Sequence, residues 1–193
     1  TIWEYKQKED EGSPSELVPT DDGHVIMMDA CDEYYVFDRQ GARKRAADPL
    51  EEMPKAEREK YTTQTTAGVG WQMYSKQGFF TDGGTTYFYL RTYWGRFMVI
   101  DFAAAKAARN AALEEKIEAQ IVAQVQAWLK TFDGEFYEKC SNCGDKHLKA
   151  ELTDNLFIVK KHALRKGEKL LQDTLKRAND GRNTDLQRYL DKL

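Results

Sequence analysis

Cysteine is scarce in this chain of 193 residues, which contains only three. Three cysteines do not make the disulfide framework of a small secreted domain, and the odd number favours a reducing compartment. The chain also has no apolar run approaching the 18 residues that a membrane-spanning helix requires. Its polar, acidic N-terminal stretch does not resemble a signal peptide. We therefore expect a cytoplasmic protein that does not enter a membrane.

Familiar catalytic motifs are missing as well. The sequence has no P-loop, no G-x-G-x-x-G, no G-x-S-x-G and no H-E-x-x-H. These absences disfavour the common classes of nucleotide-binding and hydrolytic enzyme. An enzyme of another class, acting near His24 or near the acidic first hairpin, is kept as an alternative. The carboxylates of that hairpin are Asp29, Asp32, Glu33 and Asp38.

The composition is that of a globular chain whose charge is unevenly spread. Hydrophobic residues make up 41% and charged residues 32%, which is too apolar for a disordered chain. Residues 1–60 carry 16 Asp/Glu against 9 Lys/Arg, whereas residues 156–193 carry 10 Lys/Arg against 5 Asp/Glu. Such asymmetry is typical of an electrostatic partner surface, although attraction between the two ends or simple solvation would also account for it.

Aromatic residues are concentrated in residues 68–102, which hold 11 of the 23 in the chain. Strand alternation within this segment predicts two different faces. The face that we interpret as core consists of Phe88, Leu90 and Thr92. The opposite face is a row of flat rings around a cation: Tyr87, Tyr89, Arg91 and Tyr93.

This tyrosine and arginine row has two possible functions and one structural alternative. Tyrosines on a sheet beside an arginine resemble the stacking platforms of single-strand nucleic-acid binders. The same residue types dominate the hot spots of protein–protein interfaces. Alternatively, a second layer covers the row, and the tyrosines belong to the edge of the core.

The order of the segments predicts a single α+β domain spanning 1–193. Residues 1–22 form a polar lead-in, and residues 23–102 form an antiparallel meander of about five to seven strands, with a hairpin at Gly83-Gly84. Asp101 is expected to cap a long helix over 103–132, on which the meander packs. Residues 133–193 then form a cysteine-containing loop and C-terminal helices.

The C-terminal third carries a basic row on what we predict to be one long helix. Helical spacing places Lys161, Arg165 and Lys169 at i, i+4 and i+8 on one side. Such a row suits contacts with phosphates. The alternative is the solvated face of an amphipathic helix.

A candidate metal site lies in the loop before that helix. Cys140 and Cys143 form a C-x2-C turn followed by glycine, which allows two thiolates to converge on one zinc ion. His147 and His162 would complete a structural site. A redox dithiol and two unliganded thiols are the alternatives.

These features lead to a hypothesis about function. We expect a non-enzymatic regulator or inhibitor that binds a macromolecular partner through the tyrosine and arginine row. A protein partner is favoured over a nucleic acid. The alternative is a single-stranded nucleic-acid-binding protein that uses the same row together with the C-terminal basic residues.

Structural zinc makes a prediction about stability. Chelation should lower the melting temperature, because the binding energy of a structural zinc ion is folding energy. Cys143→Ser should reproduce the effect, whereas Cys31→Ser, outside the predicted ligand set, should not. If full chelation leaves the melting curve unchanged, the prediction of a structural zinc site is contradicted.

Overall fold

A computed structural model describes residues 14–20, 23–29, 33–65, 68–108, 110–134, 137–139, 146–180 and 185–193. It confirms the α+β class, with antiparallel sheets followed by helices. The chain divides into two compact units and passes between them several times. Each unit is described by itself, and the expectation of a single domain stays a prediction. Among the described residues, no helix is long and apolar enough to cross a membrane.

The first unit comprises residues 1–70, 77–90 and 97–110 and contains most of the strands. Its elements, some of which begin or end just outside these ranges, are β1 (Pro14–Pro19), β2 (Val25–Asp29), β3 (Tyr34–Phe37), β4 (Arg43–Ala47), α1 (Pro49–Glu52), α2 (Lys55–Tyr61), β5 (Thr63–Thr65), β6 (Gly68–Gly70), β7 (Lys76–Asp82), β8 (Thr85–Arg91), β9 (Phe97–Asp101) and β10 (Lys106–Ala107).

Besides the separate β5–β6 pair, the strands of this unit form two four-stranded sheets rather than one meander. The first has the order β1-β2-β3-β4 and the second the order β10-β9-β8-β7. They meet where β4 lies beside β9 and β10, and the rings of Tyr34 and Phe88 are 6.1 Å apart. The sequence analysis missed β1, because its polar, proline-flanked residues have the composition of a loop. Pairing with β2 supplies their main-chain hydrogen bonds instead.

The predicted hairpin between β7 and β8 is confirmed. Gly83 and Gly84 have φ of 57° and 83°, the left-handed values that a two-residue hairpin turn requires at both positions. The two glycines therefore set the register of this strand pair.

The second unit comprises residues 71–76, 91–96 and 111–193 and holds the long helices. Its elements are α3 (Ala111–Thr131), β11 (Tyr137–Lys139), β12 (Lys146–Leu148), α4 (Ala150–Lys161), α5 (Arg165–Asp180) and α6 (Asp185–Leu190). Four apolar side chains at helical spacing along α3 are buried, and α3 packs on α4. They are Leu113, Ile117, Ile121 and Val125.

The long helix starts later than predicted. The Asp101 carboxylate accepts a hydrogen bond from the Ala104 amide at 3.0 Å, so it closes a turn instead of capping a helix. Lys106 and Ala107 then pair with β9. The alanine-rich composition favours a helix locally, but the sheet edge offers the same residues main-chain partners, and tertiary pairing overrides propensity.

The predicted last helix is broken into α4 and α5. Ala163, between them, has φ of 46°, which ends the first helix. Gly167, in the first turn of α5, permits a close approach of the two helices, because an added Cβ would lie 2.6 Å from Val159 Cγ1. The reversal leaves α4 buried along most of its length, with Leu156, Phe157, Ile158 and Val159 all inaccessible.

Gly167→Ala should destabilise the fold by about 1–3 kcal/mol, as overpacking does elsewhere, although alanine is the better helix former. The free energy of unfolding in urea measures the loss. Val159→Ala provides the control, since it removes the clashing methyl groups. The double variant should be more stable than the sum of the two single effects predicts, and strict additivity would contradict the proposed clash.

Candidate partner-binding surface

The tyrosine and arginine row does not form an open face. Tyr89 is 3% exposed, and Arg91 and Tyr93 are each 1% exposed, while Tyr87 is half-buried. The residues of the opposite face, Phe88, Leu90 and Thr92, are buried too. The expectation of an exposed row is therefore corrected for three of its four members, which belong to the core. A binding role for Tyr87 stays a prediction.

Arg91 is buried because an acidic partner on α3 neutralises its charge. Its Nε and Nη2 both donate to the Glu118 carboxylate, the latter at 2.8 Å, and Nη1 donates to the Thr92 carbonyl at 3.0 Å. The same carboxylate is 2.6 Å from His162 Nε2 and 3.8 Å from Lys161 Nζ. Glu118 thus joins the strand end, α3 and the C-terminal end of α4 within the second unit.

The charges around Glu118 decide its ionisation. Burial acts to raise its pKa, but the hydrogen bonds and charge of Arg91, with smaller contributions from His162 and Lys161, outweigh burial and lower the pKa. Burial and the nearby Arg91 charge lower the pKa of Lys161, against the opposing effect of Glu118. The sequence analysis overlooked Glu118, although its position directly after the buried Ile117 indicates a carboxylate at the margin of the apolar stripe.

Tyr93 packs among aromatic rings of the second unit. Its ring centroid is 5.2 Å from that of Phe157 and 5.3 Å from that of Tyr189, both in edge-on arrangements. Tyr74 also stacks on Phe157, with centroids 4.8 Å apart. These distances are those of favourable aromatic pairs in a core. Tyr93 therefore stabilises the helical unit and is inaccessible to a base.

A second half-buried carboxylate lies on α4. Burial raises the pKa of Asp154 to about 6, despite the opposing charge of Lys76. Burial also lowers the pKa of Lys76, with Asp154 and Glu151 opposing that shift. Each group is thus held where its charge is costly, and their mutual attraction partly offsets that cost.

The predicted basic row is divided between two helices. Lys161 ends α4 and contacts Glu118, whereas Arg165 and Lys169 lie one turn apart on α5 and are exposed. The prediction of a single row at i, i+4 and i+8 is therefore wrong, because the chain reverses at residues 162–164. Phosphate binding by these residues stays a prediction.

The reversal creates a basic groove between α3 and the start of α5. Lys130 comes from the last turn of α3, and Arg165 and Lys166 come from the first turn of α5. All three are exposed. The groove encloses about 400 Å³, and its remaining lining is Gln126, Leu129, Ala163 and Leu164. None of these described lining residues is a carboxylate, so this groove is a cationic concavity within the second unit.

The zinc prediction falls mainly outside the described residues, because Cys140 and Cys143 lie there. Of the other two proposed ligands, His147 Nε2 is 3.1 Å from Glu138 Oε1 across the β11–β12 pair, and His162 contacts Glu118. In the described part of the chain, no three histidine, cysteine or acidic side chains form a group suited to a metal. Structural zinc stays a prediction.

The acidic first hairpin has structural contacts at the residues described. Glu33 is 2.7 Å from the Arg45 guanidinium. Asp38 accepts hydrogen bonds from the amides of Ala42 and Gln40 at 2.8 and 2.9 Å, which closes a turn. The bond from Ala42, with a smaller contribution from Gln40, lowers the pKa of Asp38. Asp32 and the side chain of Asp29 lie outside the described residues.

His24, the other candidate for enzymatic chemistry, lies at the start of β2. Its ring is tilted against that of Phe102, with centroids 6.1 Å apart. Its amide also takes part in the turn that Thr20 closes. His24 therefore packs against Phe102 immediately before β2.

Comparisons with protein-family models, with curated proteins and with solved structures found no match to this chain. Its function is therefore argued from its own residues.

Removing the Glu118 charge should destabilise the second unit. Glu118→Gln leaves Arg91 buried without a counter-charge, which typically costs about 3–5 kcal/mol. Folding lowers the pKa of Glu118. The contribution of its charge to the free energy of unfolding is therefore complete above the pKa that Glu118 has in the unfolded chain. This contribution is lost as the pH falls through the pKa that Glu118 has in the folded protein.

Urea unfolding at neutral and acidic pH checks this expectation. The difference between wild type and Glu118→Gln should shrink as the solution becomes strongly acidic. Glu115→Gln, an exposed site on the same helix, should change the free energy of unfolding by less than about 0.5 kcal/mol. Equal effects of the two substitutions would contradict the assigned role of Glu118.

Proposed function

We propose that this protein is a non-enzymatic interaction protein that captures an acidic protein partner through the basic groove between α3 and α5. The observation that carries the proposal is that Lys130, Arg165 and Lys166 line one concavity to which the described residues contribute no carboxylate. The chain has a net charge of −3, so a concentration of exposed cations runs against its overall balance. Such a feature suits electrostatic recognition.

The groove differs from an ordinary solvated helix face in two respects. Its cations come from α3 and α5, two helices far apart in the sequence that the fold brings together. The lining also includes the apolar residues Leu129 and Leu164. An acidic segment with an apolar side chain would satisfy both properties, since ion pairs orient a partner while apolar contacts hold it. A uniformly solvated helix face offers only the charges.

A protein partner is favoured over a single-stranded nucleic acid by the burial of the tyrosine row. Base stacking is the sequence-tolerant source of affinity in single-strand binders, and Tyr89 and Tyr93 are enclosed in the core. Within the part of the chain that the structure describes, no aromatic ring lines the basic groove. Nucleic-acid binding there would depend on phosphate contacts alone.

The test uses fluorescence anisotropy with a labelled oligo-glutamate peptide at low and at moderate salt. The triple variant Lys130→Glu, Arg165→Glu, Lys166→Glu should weaken binding about tenfold or more, since exposed ion pairs contribute a few tenths of a kcal/mol to about 1 kcal/mol each. Added salt should weaken binding to the wild type and have much less effect on the variant.

The matched control is Lys44→Glu, Arg58→Glu, Lys55→Glu, which changes the net charge equally at three exposed sites of the first unit. It should bind the peptide within about twofold of wild type, because these three residues do not line the groove and exposed charges are screened by salt. Equal losses in the two triple variants, or no binding at low salt, would contradict the proposal. Tighter binding of an equally charged single-stranded oligonucleotide would identify the partner class as nucleic acid.

A further inference from the structure

The methionines of this chain differ sharply in their access to solvent. All five lie in the described ranges. Met73 is 40% exposed, whereas each of the other four is at most 8% exposed and belongs to the core. These four are Met27, Met28, Met53 and Met98. Because oxidation of a thioether requires access to its sulfur, an oxidant in solution meets one methionine in the folded protein.

Met73 lies in a turn whose backbone is strained. The Ser75 amide donates to the Gln72 carbonyl at 3.1 Å, which closes this turn between β6 and β7. Tyr74, inside the turn, has φ of 57°, a left-handed value that is unfavourable for a residue with a side chain. Strain of this kind persists only where surrounding contacts enforce it, and it is concentrated at functional sites.

The ring of Tyr74 supplies the contacts that enforce the turn. It stacks on Phe157 of α4 and meets Tyr189 of α6 edge-on, the latter with centroids 5.4 Å apart. All of these residues belong to the second unit. The turn thus commits Tyr74 to the ring cluster and leaves the preceding side chain, Met73, partly in water.

The sulfur of Met73 also contacts the last helix of the chain. The Tyr189 hydroxyl donates a hydrogen bond to Met73 Sδ at 3.1 Å. Tyr189 is buried, and its helix α6 packs on α4 and α5. A side chain that is open to solvent is therefore the acceptor for a hydroxyl group of the core. Chemistry at this sulfur would be felt in the packing of α6.

We propose that Met73 is a modification site for peroxides, at which conversion to methionine sulfoxide weakens the attachment of α6 to the turn. With hydrogen peroxide, a sulfur lone pair attacks one peroxide oxygen, so that an S–O bond forms as the O–O bond breaks. The sulfur loses two electrons. The proton of the transferred oxygen moves to the departing oxygen, which leaves as water. This site is independent of the basic groove proposed above.

The weakening follows from what oxidation does to the sulfur as an acceptor. A thioether sulfur has two lone pairs, and the Tyr189 hydroxyl occupies one of them. The oxidant reaches the other from the solvent side, so the new oxygen is directed towards water. The sulfoxide sulfur carries a partial positive charge and accepts hydrogen bonds poorly. Tyr189 thus loses the acceptor that Met73 provides, and a buried hydroxyl without its acceptor destabilises the fold.

Site-resolved oxidation kinetics test the selectivity. The folded protein is treated with dilute hydrogen peroxide, digested and analysed by mass spectrometry. Met73 should be converted about tenfold or more faster than each of the four buried methionines, because access limits their oxidation. In urea all five should react at similar rates. A buried methionine that reacts as fast as Met73 in the folded protein would overturn the proposal.

Urea unfolding before and after peroxide treatment tests the consequence. Oxidation of the wild type should raise the unfolding equilibrium constant about fivefold, the effect of losing one hydrogen bond. Tyr189→Phe keeps the ring but lacks the hydroxyl, so peroxide should change its constant by less than about twofold. Met73→Leu has no sulfur at this position and should not respond to peroxide.

Hydrogen exchange of the unsubstituted chain gives a test that does not depend on the folding of any variant. After oxidation the amides of α6 should exchange severalfold faster, whereas those in the middle of α3 should be unchanged. Equal exchange before and after oxidation, or equal responses of wild type and Tyr189→Phe to peroxide, would contradict the proposal. No acidic ligand is involved, so failure here leaves the proposed function untouched, and the reverse also holds.

Discussion

The packing of the second unit depends on a guanidinium group that is almost wholly removed from water. Arg91 is 1% exposed, and an uncompensated charge at such depth costs several kcal/mol. Glu118 supplies the compensation through two hydrogen bonds from the guanidinium. Because the carboxylate belongs to α3 and also contacts His162 and Lys161 at the end of α4, this one ionic group determines how a strand end and two helices fit together.

The helical unit contains two kinds of cation, those that contact Glu118 and those that do not. Lys161 shares Glu118 and is therefore partly neutralised by the fold. Lys130, Arg165 and Lys166 line a groove to which no carboxylate of the described ranges contributes. The position of the helix break explains the difference, since reversing the chain after α4 leaves Lys161 on the Glu118 side and moves Arg165 and Lys166 towards the end of α3. The proposed binding groove is thus a consequence of the chain reversal between α4 and α5.

Local chemistry determined much of the secondary structure. The pair Gly83-Gly84 requires a tight hairpin, the spacing of Leu113, Ile117 and Ile121 indicates a helix with one buried face, and the mixture of strands and helices identifies the α+β class. These features depend on backbone sterics and on hydrophobic periodicity, both of which act over a few residues.

Only the tertiary structure decided which residues face a partner. Alternation along β8 correctly separates Tyr89 and Arg91 from Phe88 and Leu90, but it does not reveal that both faces are covered. Helical spacing places Lys161 and Arg165 in one row, but the reversal at Ala163 separates them. Burial and charge compensation depend on contacts between residues far apart in the chain, such as Arg91 with Glu118, and a local pattern carries no information about such contacts.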